Sequence, residues 1–409
     1  MSYLARLADQ HLAEAMRAHP AVLVVGPRAT GKTTTASTVA ATMLRLGEVN
    51  VRTAVEADPL VALDGRPEPI LVDEWQLVPE TLNAIKVLTD AAPRRGRFIV
   101  TGSVRGDLDS PMWPGTGRLV RIPMYGLTER EIEGSVTRAS WLDAVLAGRE
   151  PPQVRSELTI RDYVARALRS GFPEPALELD ARGRQRWLGS YVDQLVTRDA
   201  AGVDGGRDPQ RLRRYLNAVA LNSAGIVDDV TLYEAAHISK LTAKAYERLL
   251  ANLLVIEQLP AWTPNSLRRL SLAPKRYLVD SGLFAGVLGV TEQDVLDDGN
   301  LLGRVIDTFA TAQLRAELSL MVPAPRLHHL RTDKGRHEID LVIEVGHRKV
   351  IAVEIKATAA PQPDDAVHLR WFRREFADSV QAAVLLHTGP DQLVMDEDVV
   401  AAPISALWT

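Results

Sequence analysis

Residues 19–46, "HPAVLVVGPRATGKTTTASTVAATMLRL", contain the strongest structural signal in the chain. Within this stretch, Ala21–Val25 is a continuous apolar run, which is typical of a buried parallel strand. The next residues, Gly26–Thr33, match G-x-x-x-x-G-K-[ST], and an Ala-rich run of helical composition follows at once. The order of strand, glycine-containing loop and helix predicts a phosphate-binding loop.

Each part of this loop has a physical role in nucleotide binding. Gly26 and Gly31 permit a tight turn whose backbone N–H groups point at phosphate oxygens, and the helix N-terminus adds favourable partial charge. We expect Lys32 to reach the β- and γ-phosphates and the hydroxyl of Thr33 to bind Mg²⁺. The predicted cofactors are therefore ATP or ADP and Mg²⁺, with a chance match in a βα turn as the alternative. The predicted ATP-binding residues are Gly26, Pro27, Arg28, Ala29, Thr30, Gly31, Lys32, Thr33 and Thr34.

A second motif supplies the acidic residues that such a loop needs. In "PEPILVDEWQLVPE", residues 67–80, the apolar run Ile70–Val72 predicts a strand that ends in Asp73 and Glu74. Asp73 would hold the water shell of Mg²⁺, and Glu74 would polarise the attacking water. The alternative is a strand that ends in two solvated carboxylates. Alternating strands and helices predict a doubly wound parallel sheet, with its ligand at the carboxyl ends of the strands.

Two further catalytic roles fall to polar residues near these motifs. The predicted strand "RFIVTGS", residues 97–103, ends in Ser103, whose hydroxyl could sense the γ-phosphate or orient the water. A simple turn is the alternative. For an arginine finger we favour Arg118, with Arg28, Arg121 or an arginine from a second copy of the chain as alternatives. Taken singly, each arginine is also consistent with a surface salt bridge.

The middle of the chain predicts two helical segments separated by a linker. Residues 125–205 have helical patterns and predict an α-helical lid on a nucleotide domain of residues 1–124. The stretch "AAGVDGGRDP", residues 200–209, is punctuated by Gly and Asp and predicts the linker. Residues 206–280 then give three helices and strand-like "LVIEQL", which is the order of a winged helix-turn-helix.

A winged helix predicts DNA as a partner, with protein docking as the alternative. Local basic residues must supply the contacts, because a net charge of −4 gives no general attraction to nucleic acid. Lys275 and Arg276 in the predicted wing could also neutralise phosphates. The predicted DNA-binding residues of the recognition helix and the wing are Lys240, Thr242, Lys244, Arg268 and Arg269.

The last part of the chain, residues 281–409, contains a charged hairpin, "EIDLVIEVGHRKVIAVEIKA", residues 338–357. Folding this stretch about His347 makes an apolar face with period two. The same register places Asp340 opposite Glu354, where two like charges normally destabilise a sheet. The apolar pairs would be Ile339 with Ile355, Leu341 with Val353, and Ile343 with Ile351.

Asp340, Glu354 and Lys356 form the pattern D-x13-E-x-K on one face of this hairpin, after a helix that carries Asp307. The arrangement resembles the restriction-endonuclease-like fold, in which two carboxylates hold a divalent ion and the lysine helps to orient or deprotonate a water. The alternative is a structural cluster in which Lys356 bridges Glu354 and Glu338, without metal or cleavage.

In their order along the chain, the motifs resemble those of the AAA-type P-loop ATPases of bacteria and archaea whose C-terminal part is a domain of unknown function (family 4143). This resemblance implies an AAA-type ATPase core, a winged helix and a nuclease-like C-terminal domain, but no particular substrate. The family helix usually carries Glu where this chain has Asp307 after Gly303, which shortens the reach to a metal. The matching motifs are "VVGPRATGKTTT", "ILVDEWQ", "RFIVTGS", "GFPEP", "YVDQLVTRD", "PKRYLVDSGL" and "EIDLVIEVGHRKVIAVEIKA".

Composition limits the class of protein. Of the 409 residues, 46% are hydrophobic and 24% are charged, as in globular proteins with more than one core. The absence of cysteine excludes disulfides and thiolate metal sites, and no apolar run approaches the roughly 20 residues of a membrane span. We therefore expect a cytoplasmic protein without membrane contact. Three functions remain open: an ATP-hydrolysing switch that acts on DNA, an ATP-gated nuclease, and a signalling scaffold that binds a protein partner in a stress or toxin–antitoxin system.

Overall fold

The structure, a computed structural model, describes residues 3–103, 117–199, 208–265, 272–332, 335–346 and 349–409. The chain forms two compact units. The first comprises Met1–Leu127 with Asn252–Leu254, and the second comprises Thr128–Ala251 with Val255–Thr409. Among the helices of the described ranges, none has the length and apolar character needed to cross a membrane.

The first unit is built on a five-stranded parallel sheet. Its strands are β1 Ala21–Val25, β2 Thr42–Arg45, β3 Ile70–Asp73, β4 Phe98–Gly102 and β5 Leu119–Pro123. Their order in the sheet is β2-β3-β4-β1-β5, so β4 lies between β1 and β3. Because neighbouring strands are parallel, Val25, Asp73 and Gly102 end their strands at one common edge. This edge is where the predicted ligand would bind.

Helices cover both faces of this sheet. They are α1 Leu7–Ala18, α2 Lys32–Ser37, α3 Val49–Ala57, α4 Pro59–Leu63 and α5 Glu80–Ala91. Leu23 and Val72 pack with apolar side chains of α3, α4 and α5 on one face. Val24 and Leu71 alternate with them and are buried on the opposite face, and α1 and α2 both contact β1. The predicted doubly wound α/β fold is therefore confirmed for this unit.

The run after the phosphate loop is helical over a shorter stretch than its composition predicted. Helix α2 ends at Ser37, and Thr42–Arg45 forms β2, which pairs in parallel with β3. Five of the eight residues that follow the loop lysine are β-branched, which lowers their helix propensity. Pairing with β3 therefore overrides the Ala-rich local pattern.

The second unit is helical in its first half. Its helices are α6 Glu129–Ile132, α7 Trp141–Leu146, α8 Ile160–Arg169, α9 Pro173–Leu177, α10 Ala181–Gln194, α11 Pro209–Leu221, α12 Asp229–Ala235, α13 Lys240–Asn252, α14 Leu283–Leu288, α15 Glu292–Asp297, α16 Gly299–Leu318 and α17 Val367–Glu375. A π-helical turn, Leu195–Asp199, follows α10. After α13, the strands β6 Ile256–Leu259 and β7 Lys275–Leu278 form an antiparallel pair. Most of the predicted linker, and Arg268 and Arg269 of the predicted wing, lie outside the described residues.

Helix α16 is the central helix of this unit, with α8 and α15 packed against it. The N–H of Glu129 donates to Gln313 Oε1 at 2.8 Å, and Arg130 Nη1 donates to Glu317 Oε2 at 2.8 Å. From Thr128 onward, the residues predicted as a lid, a winged helix and a nuclease-like domain lie in this unit, with the exception of Asn252–Leu254.

The second half of this unit contains a six-stranded sheet. Its strands are β8 Arg326–Arg331, β9 Glu338–Val345, β10 Lys349–Lys356, β11 Val380–His387, β12 Leu393–Met395 and β13 Val399–Pro403, in the order β12-β13-β11-β10-β9-β8. Strand β9 pairs antiparallel with β10, which pairs in parallel with β11. Strand β10 is thus central, and α17 connects it to β11 in the chain.

The register of the charged hairpin agrees with its prediction over the paired residues. Leu341 pairs with Val353, and Ile343 pairs with Ile351. Both faces of the hairpin are buried, because Val342 and Ala352, which point the other way, are fully buried as well. The predicted turn residue, His347, lies outside the described residues.

Candidate functional site

The phosphate loop joins β1 to α2 at the carboxyl edge of the first sheet. A Cβ atom on Gly26 would lie 1.8 Å from the carbonyl oxygen of Met124, so only glycine fits there. Gly31 has a φ of +90° and Ala29 a φ of +61°. Glycine adopts such a conformation readily, whereas alanine is strained in it. The loop is therefore held in a conformation that its local sequence alone does not favour.

Lys32 is buried at the base of this loop. Its Nζ donates a hydrogen bond to the carbonyl oxygen of Pro27 at 2.6 Å. Burial is the largest influence and lowers the pKa of Lys32 to about 8, although the carboxylates of Glu74 and Asp73 act to raise it. The charges of both carboxylates thus act on the ammonium of Lys32.

Asp73 is the point at which the loop and two strands meet. Thr33 Oγ1 donates to Asp73 Oδ1 at 2.6 Å, and Thr101 Oγ1 donates to the same oxygen. A threonine hydroxyl and a carboxylate are hard oxygen ligands of the kind that Mg²⁺ binds beside nucleotide phosphates. The residues present thus fit the predicted metal role of Thr33 and Asp73.

Glu74 follows Asp73 and is held in place by two donors. Ser103 Oγ donates to Glu74 Oε1 at 3.3 Å, and Gln76 Nε2 donates to Glu74 Oε2. The backbone of Glu74 has a φ of +62°, a strained conformation for a residue with a side chain. Ser103 is buried, so it orients the Glu74 carboxylate here rather than meeting solvent.

Two positioning residues of this site escaped the sequence analysis. Arg6 is buried and donates to the carbonyl oxygens of Thr30, at 2.8 Å, and of Tyr125, at 3.0 Å. Thr101 lies within the predicted strand "RFIVTGS" but was given no role, yet it bonds Asp73 directly. Polar strand ends could have indicated Thr101, but a single arginine ahead of α1 gives no such signal.

Arg118 lies at the amino ends of the strands, whereas the phosphate loop lies at their carboxyl ends. It precedes β5, whose first residue pairs with Ala21, whereas the loop follows Val25. Five residues span about 16 Å at roughly 3.3 Å per residue. Arg118 also forms an ion pair with Asp90, at 2.9 Å. It is therefore not placed to act as an arginine finger within its own chain, which corrects the prediction.

The basic residues predicted to contact DNA divide into two groups. Lys240 and Lys244 are exposed on the first two turns of α13, whereas the hydroxyl of Thr242 lies 2.9 Å from Ser239 Oγ. Lys275 and Arg276 are buried, and Arg276 pairs with Glu247 and Asp229. The prediction that Lys275 and Arg276 neutralise DNA phosphates is therefore wrong.

The C-terminal cluster consists of Asp307, Asp340, Glu354 and Lys356 together with Lys275. Lys275 joins two of the predicted carboxylates. Its Nζ lies 2.9 Å from Asp307 Oδ2 and 2.9 Å from Asp340 Oδ1. Lys356 Nζ lies 3.2 Å from Glu354 Oε2, while the nearest cation to Glu338 among the described residues is Arg331, at 3.9 Å. The predicted residues do come together, but the bridge from Lys356 to Glu338 is not formed.

Burial and charge set the ionisation of this cluster. Burial raises the pKa of Asp307 to about 6, against the opposing effect of Lys275. Burial also opposes ionisation of Asp340, but Lys275, the N–H of Ile355 and Lys356 together lower its pKa to about 2. Burial, and then the charge of Asp340, raise the pKa of Glu354 well above its usual value. Lys275 thus favours the ionised form of both aspartates, while burial opposes ionisation of Asp307 and Glu354.

This arrangement does not fit a divalent cation. The point at which the carboxylates of Asp307 and Asp340 converge is taken by the Nζ of Lys275. Across the described ranges, no group of three or more His, Asp and Glu residues is arranged to hold a metal ion. The predicted nuclease-like metal site is therefore not formed in this structure.

Three family models match successive parts of the chain. The family model of an AAA domain matches residues 18–133. A domain of unknown function (DUF8612) matches residues 160–294, and a domain of unknown function (DUF4143) matches residues 302–407. The second match spans the predicted boundary between lid and winged helix at residue 205.

Similar proteins extend over the whole chain. Uncharacterized proteins of Mycobacterium tuberculosis and Mycobacterium bovis are each 27% identical to it over 409 residues, which cover 99% of this chain and 84% of the relative. A Walker-type ATPase of Pyrococcus abyssi has a TM-score of 0.45 and 13% identity, and the match covers 70% of this chain and 96% of that chain. The matched domains confirm the resemblance inferred from the motifs: this chain carries an AAA domain in its N-terminal part and a DUF4143 domain at its C-terminal end.

Proposed function

We propose that the first unit binds ATP with Mg²⁺ and hydrolyses it. One observation carries this proposal: Lys32, Thr33, Asp73 and Glu74 meet at the carboxyl edge of the sheet, directly beside the phosphate loop. Such an edge combines backbone N–H groups, an ammonium and oxygen ligands, which together suit a magnesium–triphosphate ligand. The match of residues 18–133 to the model of an AAA domain supports this class of activity.

Each side chain then has a distinct role. Lys32 exchanges the carbonyl oxygen of Pro27 for phosphate oxygens, which are stronger acceptors because they are charged. Thr33 and Asp73 hold Mg²⁺, which supplies charge neutralisation at the phosphates when bound. Glu74 orients and polarises the attacking water, and Ser103 keeps the carboxylate of Glu74 turned toward it.

The experiment is a measurement of phosphate release from ATP by the full chain, with and without Mg²⁺. The proposal predicts that phosphate release requires Mg²⁺. It also predicts that Glu74→Gln still binds the nucleotide. Absence of ATP binding by the folded wild-type chain would contradict it.

We further propose that residues 209–278 contact DNA. The order of three helices followed by an antiparallel strand pair is that of a winged helix, and Lys240 and Lys244 are exposed on its third helix. Two lysines supply few phosphate contacts, so binding should be weak and sensitive to salt. Retention of the chain on DNA at low salt tests the proposal. No retention would favour docking to a protein instead.

The alternative is an ATP-gated scaffold that binds a protein partner and cuts nothing. The ion pairs of Lys275 in the C-terminal cluster favour this alternative over an ATP-gated nuclease. A cleavage assay with Mg²⁺ or Mn²⁺ decides between them, because a nuclease nicks DNA and a scaffold does not.

Assembly with a second copy of the chain would supply an arginine finger that Arg118 does not provide in its own chain. The mass of the ATP-bound chain in solution tests that assembly.

A further inference from the structure

Lys275 is a fully buried lysine with two carboxylate partners. It has 1% of its side chain exposed and contacts Asp307 and Asp340 at equal distances of 2.9 Å. A buried ammonium is tolerated only where opposite charge compensates for its lost hydration. Lys275 is therefore held in this position by the same carboxylates that a nuclease of this pattern would use for metal.

The remaining carboxylate oxygens of this pair have donors from the chain itself. Asp307 Oδ1 accepts hydrogen bonds from Tyr277 OH, at 3.1 Å, and from Thr311 Oγ1, at 3.0 Å. Asp340 Oδ2 accepts from the N–H of Ile355, at 3.0 Å. Each of the four oxygens of the two carboxylates thus has at least one donor from the chain.

A divalent cation and Lys275 compete for one position. Mg²⁺ requires oxygen ligands at about 2.0–2.1 Å in a near-octahedral arrangement. Any ion bound by both Asp307 and Asp340 would have to displace Nζ, and the displaced ammonium would lose both of its partners. Glu354 Oε1, by contrast, is buried without a hydrogen-bond donor among the described residues. The cluster thus holds a further carboxyl group, but Nζ of Lys275 occupies the position between Asp307 and Asp340.

We propose that the ammonium of Lys275 takes the place of a divalent cation in the C-terminal cluster. No metal binds there as long as β7 holds Lys275 in its present position. The ammonium supplies the positive charge that holds Asp307 and Asp340 together. Lys356 stays outside this exchange, because its Nζ pairs with Glu354 and its side chain is 34% exposed. The C-terminal domain in this state is a metal-free module, whatever the first unit does with ATP.

The experiment compares Mn²⁺ binding by the wild-type chain, by Lys275→Met and by the double variant Lys275→Met/Asp340→Asn, all without nucleotide. Methionine keeps the length and apolar stem of lysine without its charge. We expect Mn²⁺ to raise the melting temperature of Lys275→Met and to bind it saturably, because a ligand of the folded state stabilises it. We expect neither effect in the wild type or in the double variant. A folded Lys275→Met that gains no site would overturn the proposal.

A second measurement on the wild type alone covers the case in which Lys275→Met does not fold. A buried ammonium exchanges its protons slowly, so the Nζ of Lys275 should give a nitrogen-15 resonance of its own in lysine-labelled protein. We expect millimolar Mn²⁺ to leave that resonance unchanged. Paramagnetic broadening that disappears in Asp340→Asn would show a metal at the cluster and would refute the substitution by Lys275.

Discussion

Thr33 and Asp73 lie forty residues apart in the chain, yet Thr33 Oγ1 donates to Asp73 Oδ1 at 2.6 Å. The hydroxyl lies in the first turn of α2, and the carboxylate ends β3, so the bond joins the phosphate loop to the acidic strand end. This hydroxyl and this carboxylate are the two oxygens that the proposed Mg²⁺ site would use.

Replacement of Lys32 by alanine should weaken ATP binding by about ten- to a hundredfold, because a charge-assisted hydrogen bond contributes roughly 1.5–3 kcal/mol. Titration of a fluorescent ATP analogue measures the affinity. Lys86→Ala removes the same charge from α5 and serves as the matched control. Equal ATP affinities for Lys32→Ala and the wild type would show that Lys32 of this loop does not bind phosphate.

Replacement of Glu74 by glutamine should leave ATP affinity nearly unchanged and lower turnover by about 10²- to 10⁴-fold, because only the polarisation of water is lost. Phosphate release in a single turnover measures this step apart from binding. Glu80→Gln, at the exposed start of α5, is the control. Normal turnover in Glu74→Gln would place the catalytic base elsewhere.

Replacement of Gly26 by alanine should destabilise the first unit by about 3 kcal/mol or more, because the new Cβ would lie 1.8 Å from the backbone oxygen of Met124. Gly47→Ala is the matched control, since a Cβ atom at Gly47 would have no atom of the described residues within 4 Å. Urea unfolding measures both variants. A neutral Gly26→Ala would mean that β5 moves aside at little cost.

The free energy of unfolding of the second unit should depend on pH through the ionisation of His329. Burial is the largest cause and lowers the pKa of this histidine to about 4, while its Nε2 lies 3.0 Å from the carbonyl oxygen of Ala273. The unfolded chain therefore takes up a proton at His329 at higher pH than the folded chain does. The stabilisation is complete above about pH 6.5 and falls by about 3 kcal/mol as the pH drops to about 4.

Unfolding of wild type and His329→Gln over this pH range checks the dependence on His329. Glutamine can donate to Ala273 but does not titrate, so the difference in unfolding free energy between the two proteins should change across the window. A constant difference would mean that His329 takes up its proton equally in the folded and unfolded chains.

Replacement of both Lys240 and Lys244 by alanine should weaken DNA binding and reduce its salt slope by about two units, one for each lost phosphate contact. Affinity measured at several salt concentrations gives the slope. Lys349→Ala, on an exposed position of β10, is the control. An unchanged slope would show that α13 does not face DNA phosphates.

Local sequence patterns were sufficient to predict the main residues of the proposed ATP site. The alternation of apolar strands with helices, the glycine-containing loop and the paired acids after Ile70–Val72 are local patterns, and each specifies one element with its end. Parallel strands bring such ends to a common edge, so Lys32, Asp73 and Glu74 could be placed together without further information. The hairpin register of Leu341 with Val353 was equally local, because a slip of one residue would turn every side chain to the other face.

Tertiary structure alone decided which charges neutralise one another. Lys275 was expected to face DNA phosphates, but it pairs with Asp307 and Asp340, which lie 32 and 65 residues further along the chain. Arg118 was expected near phosphate, but the register of β5 places it at the amino ends of the strands, where it pairs with Asp90. A charged side chain looks alike in sequence whether it is solvated or buried. Its partner is selected by the packing of distant elements, because a buried charge must be compensated wherever the fold places it.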